Sequence, residues 1–179
     1  MQQELFSNNV SIKNQINTTR NIVSNVTLLK GEVINDRDKF MTGGKAIFTL
    51  VNELTKNRYT YKVEVQKKNH IVPQSKKYFF VSVLTGSNNE TDYNYIGMLK
   101  IENNNIVFYL TQKSKMKEDS VPVKVFSWLL KNFNNLPINI KFYHEGYCAR
   151  CGRKLTVPES INTGFGPECI KLINNKFVN

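Results

Sequence analysis

Histidine is scarce in this chain: there are two, His70 and His144, and acidic residues number 14 against 25 lysines and arginines. So few imidazoles and carboxylates, scattered as they are, form no recognisable acid and base pair, which argues against an enzyme. No apolar run approaches the roughly 20 residues that a helix needs to cross a bilayer, so no membrane partner is expected. Cysteine is nearly as rare, with three residues. An odd count, in a chain without an apolar signal region at its start, suits a reducing compartment better than a disulfide scaffold. A cytoplasmic protein is expected, with its thiolates held by metal.

What is present is concentrated near the C-terminus. His144, Cys148 and Cys151 form H-x3-C-x2-C, and Cys169 follows after seventeen residues inside Gly-Phe-Gly-Pro-Glu-Cys. One tight turn carrying C-x2-C supplies two ligands of a tetrahedron, and the other two must come from elsewhere, which is the economy of a structural zinc site. Gly152 permits the positive φ that turns backbone amides toward the sulfurs. Leu155 and Ile161 are expected as an apolar floor, and Pro158, Glu159 and Ser160 as one helical turn ended by Gly164. Pro167 opens a final helix with Glu168 at its positive end and Cys169 in its first turn. The fourth ligand is expected to be His144; His70, a water or a partner's residue are the alternatives.

The segment C-A-R-C-G-R-K-L-T-V-P-E-S-I-N-T-G-F-G-P-E-C resembles the C-x-x-C-G-R-x-L-T-x-P-x-S…G-x-G-P-x-C domain of unknown function found in many phage and bacterial proteins. The likeness runs over residues 144–171 and includes the histidine before the knuckle. Upstream, G-G-K-A-I-F-T-L-V and Y-F-F-V-S-V-L-T-G…D-Y-N-Y-I-G also resemble the region that accompanies this module in phage proteins. The resemblance implies one structural zinc ion and a mobile-element setting, hence the cytoplasm of a bacterial host. It implies no activity.

At 179 residues, 40% hydrophobic and 11% aromatic, the chain can bury one sizeable core plus a metal-stapled module. Residues 1–40 are dominated by Asn, Ser, Thr and Gln and read as a polar arm. After a turn at Met41-Thr42-Gly43-Gly44, strands are expected over 46–51, 59–65, 78–84, 95–101 and 106–111. Tyr59, Tyr61, Val63 and Val65 alternate with Thr60, Lys62 and Glu64, the period of a strand with one face buried. Asn103, Asn104 and Asn105 suit a hairpin turn, because Asn tolerates left-handed conformations. Pro122, Val125, Phe126, Leu129, Leu130 and Phe133 recur at helical spacing, with Ser120 placed to cap the helix and Trp128 on its flank. Ile138, Ile140 and Phe142 alternate in a last strand leading to His144. The fold class is therefore α+β: residues 41–137 form an antiparallel β-meander packed by one amphipathic helix, and residues 138–179 a treble-clef-like zinc module docked on it.

Two tempting motifs fail. Gly43-Gly44-Lys45 lacks the first glycine and the Ser or Thr of a phosphate loop. His144-Glu145 lacks the spacing of a zinc deaminase, whose glutamate shuttles protons from the second position after the histidine, and a fully ligated ion leaves no site for activated water. A binding role fits better. The formal net charge is +11, which favours acidic partners, although an AT-rich coding sequence would enrich lysine and asparagine as well. Arg150, Arg153, Lys154 and Lys171 surround the knuckle, with Tyr147 or Phe165 as a stacking surface. Lys67, Lys68, Lys76 and Lys77 form a second basic region, and Tyr59 or Tyr61 could join a track between the two. The leading expectation is a non-enzymatic, zinc-stapled protein that binds single-stranded DNA, RNA or a nucleoprotein. The alternative is a phage-encoded inhibitor of a host defence complex, of the anti-CRISPR or anti-restriction type, acting by protein–protein binding. No small-molecule substrate is evident.

Overall fold

A computed structural model describes residues 36–66 and 77–174. Five strands run in sequence as an antiparallel meander: β1 (Lys45–Asn52), β2 (Arg58–Val65), β3 (Phe79–Leu84), β4 (Tyr93–Glu102) and β5 (Asn105–Tyr109). A sixth, β6 (Ile140–His144), returns to the free side of β1, giving the order β5-β4-β3-β2-β1-β6. The alternation expected for β2 places Tyr61 and Val63 opposite Phe48 and Ala46 of β1, all of them buried on one face. Thr60 and Lys62 fall on the other face, because successive side chains point to opposite sides of a strand. Between β4 and β5 the chain turns on Asn103 and Asn104 at φ 49° and 61°. Two consecutive left-handed residues match the twist of the flanking strands, which is why asparagine works there. A register shift between Val81 and Ser82 bends the sheet into a curl.

Helix α2 (Val121–Lys131) covers the buried face. Val125, Phe126 and Leu129 of the expected stripe are fully buried, and Trp128 is partly buried beside them. The Phe126 ring meets Tyr61 and Phe108 at 5.0 Å each, and the Tyr61 hydroxyl donates to the Pro122 carbonyl over 2.8 Å. That bond satisfies a phenol which would otherwise be stranded in the core. It also corrects one expectation, since Tyr61 is 0% exposed and Tyr59 packs against the same core. Tyr61 therefore cannot stack a base, and Tyr59 is partly buried. Ser120 stands at the helix N-cap but does not cap it with its side chain; its hydroxyl donates instead to the Lys117 carbonyl over 2.7 Å. Pro122 in the first turn has no N–H to satisfy.

The expected boundary at 40/41 falls inside a short helix, α1 (Arg37–Met41), whose Phe40 and Met41 are both 0% exposed. Phe40 packs against Phe142, His144 and Phe165 at 5.9–6.0 Å, so the end of the polar segment belongs to the core. The rest of the expected arm, 1–35, lies outside the described residues. Ile138 is likewise not a strand residue: it is 90% exposed, in a turn where the Ile140 N–H donates to the Pro137 carbonyl. Proline fixes that bend, and pairing with β1 begins only at Ile140.

Candidate metal centre

β6 hands the chain to Gly146, which turns at φ 78°, and Tyr147 then bridges to Lys154 across a tight knuckle. Inside it the Gly152 N–H donates to the Cys148 carbonyl and the Cys148 N–H to the Arg153 carbonyl, each over 2.8 Å. Gly152 has φ 76°, the left-handed geometry expected of it. Two further helices close the module. α3 (Pro158–Thr163) ends at Gly164 with φ 73°, and α4 (Pro167–Asn174) carries Cys169 in its first turn.

The knuckle is seated against the start of β1. The Lys45 N–H donates to the Ala149 carbonyl over 2.6 Å, and the Ala149 N–H donates to the Gly164 carbonyl over 3.0 Å. The approach is so close that a Cβ on Gly43 would stand 2.8 Å from the Ala149 oxygen. The apolar floor is Leu155, Phe165 and Ile173, all below 5% exposed, with Ile161 partly buried against it.

This scaffold brings the sulfurs of Cys148, Cys151 and Cys169 within 4.8 Å of one another. Zinc–sulfur bonds of about 2.3 Å in a tetrahedron set sulfurs about 3.8 Å apart, so a divalent ion fits with a small contraction. Cys148 is fully buried and Cys169 is 9% exposed. Burial opposes ionisation of the Cys148 thiol, yet it titrates below its usual range because the backbone amides of Cys151, Gly166 and Arg150 point at its sulfur. Burial pushes Cys169 up to about 11, and the Arg150 guanidinium, 3.8 Å from that sulfur, pulls the other way. A cation among the three would reverse that elevation, since coordination deprotonates a thiol outright.

His144 is not a member of the three-cysteine cluster. It is 0% exposed, its Nε2–H donates to the Ile161 carbonyl over 2.6 Å, and its Nδ1 accepts the Gly146 N–H over 2.9 Å. Both ring nitrogens are occupied by backbone, so neither has a lone pair for an ion. Burial pushes its pKa down, with the bond to Ile161 opposing. The residue chosen from sequence as the fourth ligand is instead a bolt between α3 and the turn at Gly146. Among the described residues no other His, Cys, Asp or Glu joins the three cysteines. His70 lies outside the described residues.

The basic residues expected to meet nucleic acid fare unequally. Arg153, Lys154 and Lys171 are exposed, Lys171 pairing with Glu168 over 3.0 Å, while Arg150 is half-buried with its guanidinium against Cys169. Lys77 is only 8% exposed, its side chain drawn into the body of the protein. Lys67, Lys68 and Lys76 lie outside the described residues. Phe165 is 2% exposed and fills the module floor, whereas Tyr147 is 43% exposed and free to stack.

Sequence reasoning missed the open face of the sheet. Among the described residues no helix covers it, and it holds a cleft of about 790 Å³ lined from β1 and β2 by Lys45, Thr49, Arg58, Thr60, Lys62 and Glu64. Tyr93, Glu145 and the knuckle residues Tyr147 and Gly152 complete its walls. Thr49 donates to the Glu145 carboxylate and lies 2.7 Å from the Thr60 hydroxyl. Tyr93 is pushed up to about 12 by burial and by the nearby Glu145 and Glu64 carboxylates, with Lys62 Nζ 4.4 Å above its ring. Farther along the same face, Tyr78 and Phe80 are 39% and 40% exposed, and Lys100 Nζ stands 5.3 Å from the Tyr78 ring and 5.0 Å from the Tyr109 ring. The polar half of the β2 alternation was the signal that could have found this face; Thr49 was masked by its apolar neighbours.

Residues 141–173 match the model of a family of unknown function, DUF6011. The match covers the end of β6, the knuckle and both closing helices, so with the three-cysteine cluster it fits a metal-binding domain of unknown function. No curated protein and no solved structure matches the chain.

Proposed function

We propose that this is a non-enzymatic phage-type protein that binds single-stranded nucleic acid along the open face of its sheet, with one zinc ion stapling a treble-clef-like module at one end. Three thiolates and a short, closed knuckle favour zinc, which accepts sulfur ligands without redox chemistry. The fourth position then falls to a group other than His144. Closure of the ion by that histidine no longer argues against catalysis. The argument rests instead on the neighbourhood of the sulfurs, where the Arg150 guanidinium, a donor without an acceptor, faces Cys169 and where no His, Asp or Glu among the described residues joins the cluster.

The observation that carries the reading is the aromatic row of the open face, Tyr78, Phe80, Tyr109 and Tyr147, interleaved with Lys100 and Lys62. Bases stack on such rings whatever their sequence, each worth about 1–3 kcal/mol, while the cations track phosphates. The net charge of +11 draws a polyanion to the surface. The test is fluorescence anisotropy of a labelled thymine strand over a salt series. Four or five phosphate contacts should give a log–log slope of about −3, at about 0.7 per contact for single strands. Salt-insensitive binding, or none, would refute it, and capture of a host protein complex that survives nuclease would favour the inhibitor alternative.

A further inference from the structure

The cleft beside the knuckle is not a plain cation patch. Three cations line it, Lys45, Arg58 and Lys62, but so do three carboxylates, Glu64, Glu90 and Glu145. A ligand that were purely anionic would meet three like charges, and so would one that were purely cationic. Lys45 lies opposite Glu64 at one end of the β1–β2 pair and Arg58 opposite Val51 at the other, with Glu145 on Thr49 between them and Lys62 paired to Glu64 over 3.7 Å. The cleft suits a ligand whose anionic groups flank a cluster of N–H donors.

The place for those donors is fixed by hydrogen-bond direction. Thr49 is 2% exposed and its single hydroxyl hydrogen goes to Glu145, so the Thr60 hydroxyl must donate to Thr49. Both hydroxyl hydrogens are thereby spent, that of Thr60 on Thr49 and that of Thr49 on the carboxylate. Glu145 is held as an acceptor facing the cleft, with its second oxygen and spare lone pairs left for whatever enters. Among the four bases, guanine alone offers two adjacent N–H donors, N1–H and N2–H2, on one Watson–Crick edge. Cytosine and adenine offer one amino group beside an acceptor, which a carboxylate repels.

We infer that this cleft receives one guanine nucleotide of a single strand, the base edge on Glu145 and the phosphates that flank it toward Lys45 at one end and Arg58 at the other. The inference rests on the nucleic-acid reading above and adds to it a recognised base. Tyr147, 43% exposed, supplies a ring face within the same walls. Tyr147 and Gly152 belong to the metal knuckle, and a Cβ on Gly152 would stand 3.1 Å from the Lys45 side chain. Lys45 Nζ in turn donates to the Cys151 carbonyl over 3.5 Å. The knuckle that carries the cysteines therefore forms one wall of the cleft.

The experiment compares the zinc-loaded full chain on three labelled strands: thymine throughout, thymine with one central guanine, and thymine with hypoxanthine at that position. The guanine strand should bind about tenfold tighter than the thymine strand, and hypoxanthine, which lacks the N2 amino group, should lose most of that gain. Glu145→Gln still accepts from Thr49 but loses the second anionic acceptor, and should erase the preference for guanine over thymine. Equal binding of all three strands by the wild type overturns the inference and leaves the nucleic-acid reading standing, whereas failure to bind any strand overturns both. A guanine preference that survives in Glu145→Gln also overturns it. The hypoxanthine strand needs no variant, so misfolding of Glu145→Gln does not weaken the test.

Discussion

At the scale of single residues, His144 shows how one side chain can be mistaken for a ligand. Its place four residues before C-x2-C is the spacing a ligand would have, yet the carbonyl of Ile161 and the amide of Gly146 claim both nitrogens first. Removing the ring orphans two buried backbone groups and opens a cavity. His144→Ala should therefore cost about 3 kcal/mol in chemical denaturation. The same burial makes a pH prediction. The folded-state pKa lies below the ordinary value of 6.5, so as pH falls through that value the unfolded chain takes up a proton that the folded chain refuses. Stability declines on acidification below about pH 6.5 and levels off once the folded form protonates too. Denaturation midpoints across that window should fall with pH in the wild type and fall less in His144→Gln, whose amide supplies an acceptor and a donor without titrating.

At the scale of elements, the sequence patterns that proved legible were the local ones. The β2 alternation, the Asn103-Asn104 turn, the α2 stripe and the opening of α4 at Pro167 all depend on residues within one or two turns of each other, where backbone preference and periodicity act directly. What was illegible was non-local. Nothing in the residues 140–144 announces that β6 pairs with β1, because register across a long connection is set by packing. Phe40 follows a run of polar residues and offered no period, yet it anchors α1 against the module. The hinge of that contact is Gly164, where φ is 73° and an added Cβ would stand 2.6 Å from the Phe40 ring. Gly164→Ala combines left-handed strain with a clash against a fully buried ring, and should lower the thermal midpoint by several degrees, as about 1–3 kcal/mol would do. An unchanged midpoint would mean that α3 does not seat on Phe40 as described.

At the scale of the whole molecule, sheet and module behave as one body, since the core runs from Phe126 under the sheet through Phe142 and Phe40 to Phe165 and Ile173 beneath the cysteines. The three cysteines were legible because metal spacing is a local code; the open face was not, because a cleft is assembled from strands that only meet in the fold. The central claim is that Cys148, Cys151 and Cys169 hold one zinc ion without His144. Elemental analysis of the purified wild type, His144→Gln and Cys151→Ser tests it most directly. About one zinc per chain in the first two and little in the third is the result expected of a three-thiolate site. Zinc lost from His144→Gln while that variant stays folded, or a wild type that carries none, would contradict it.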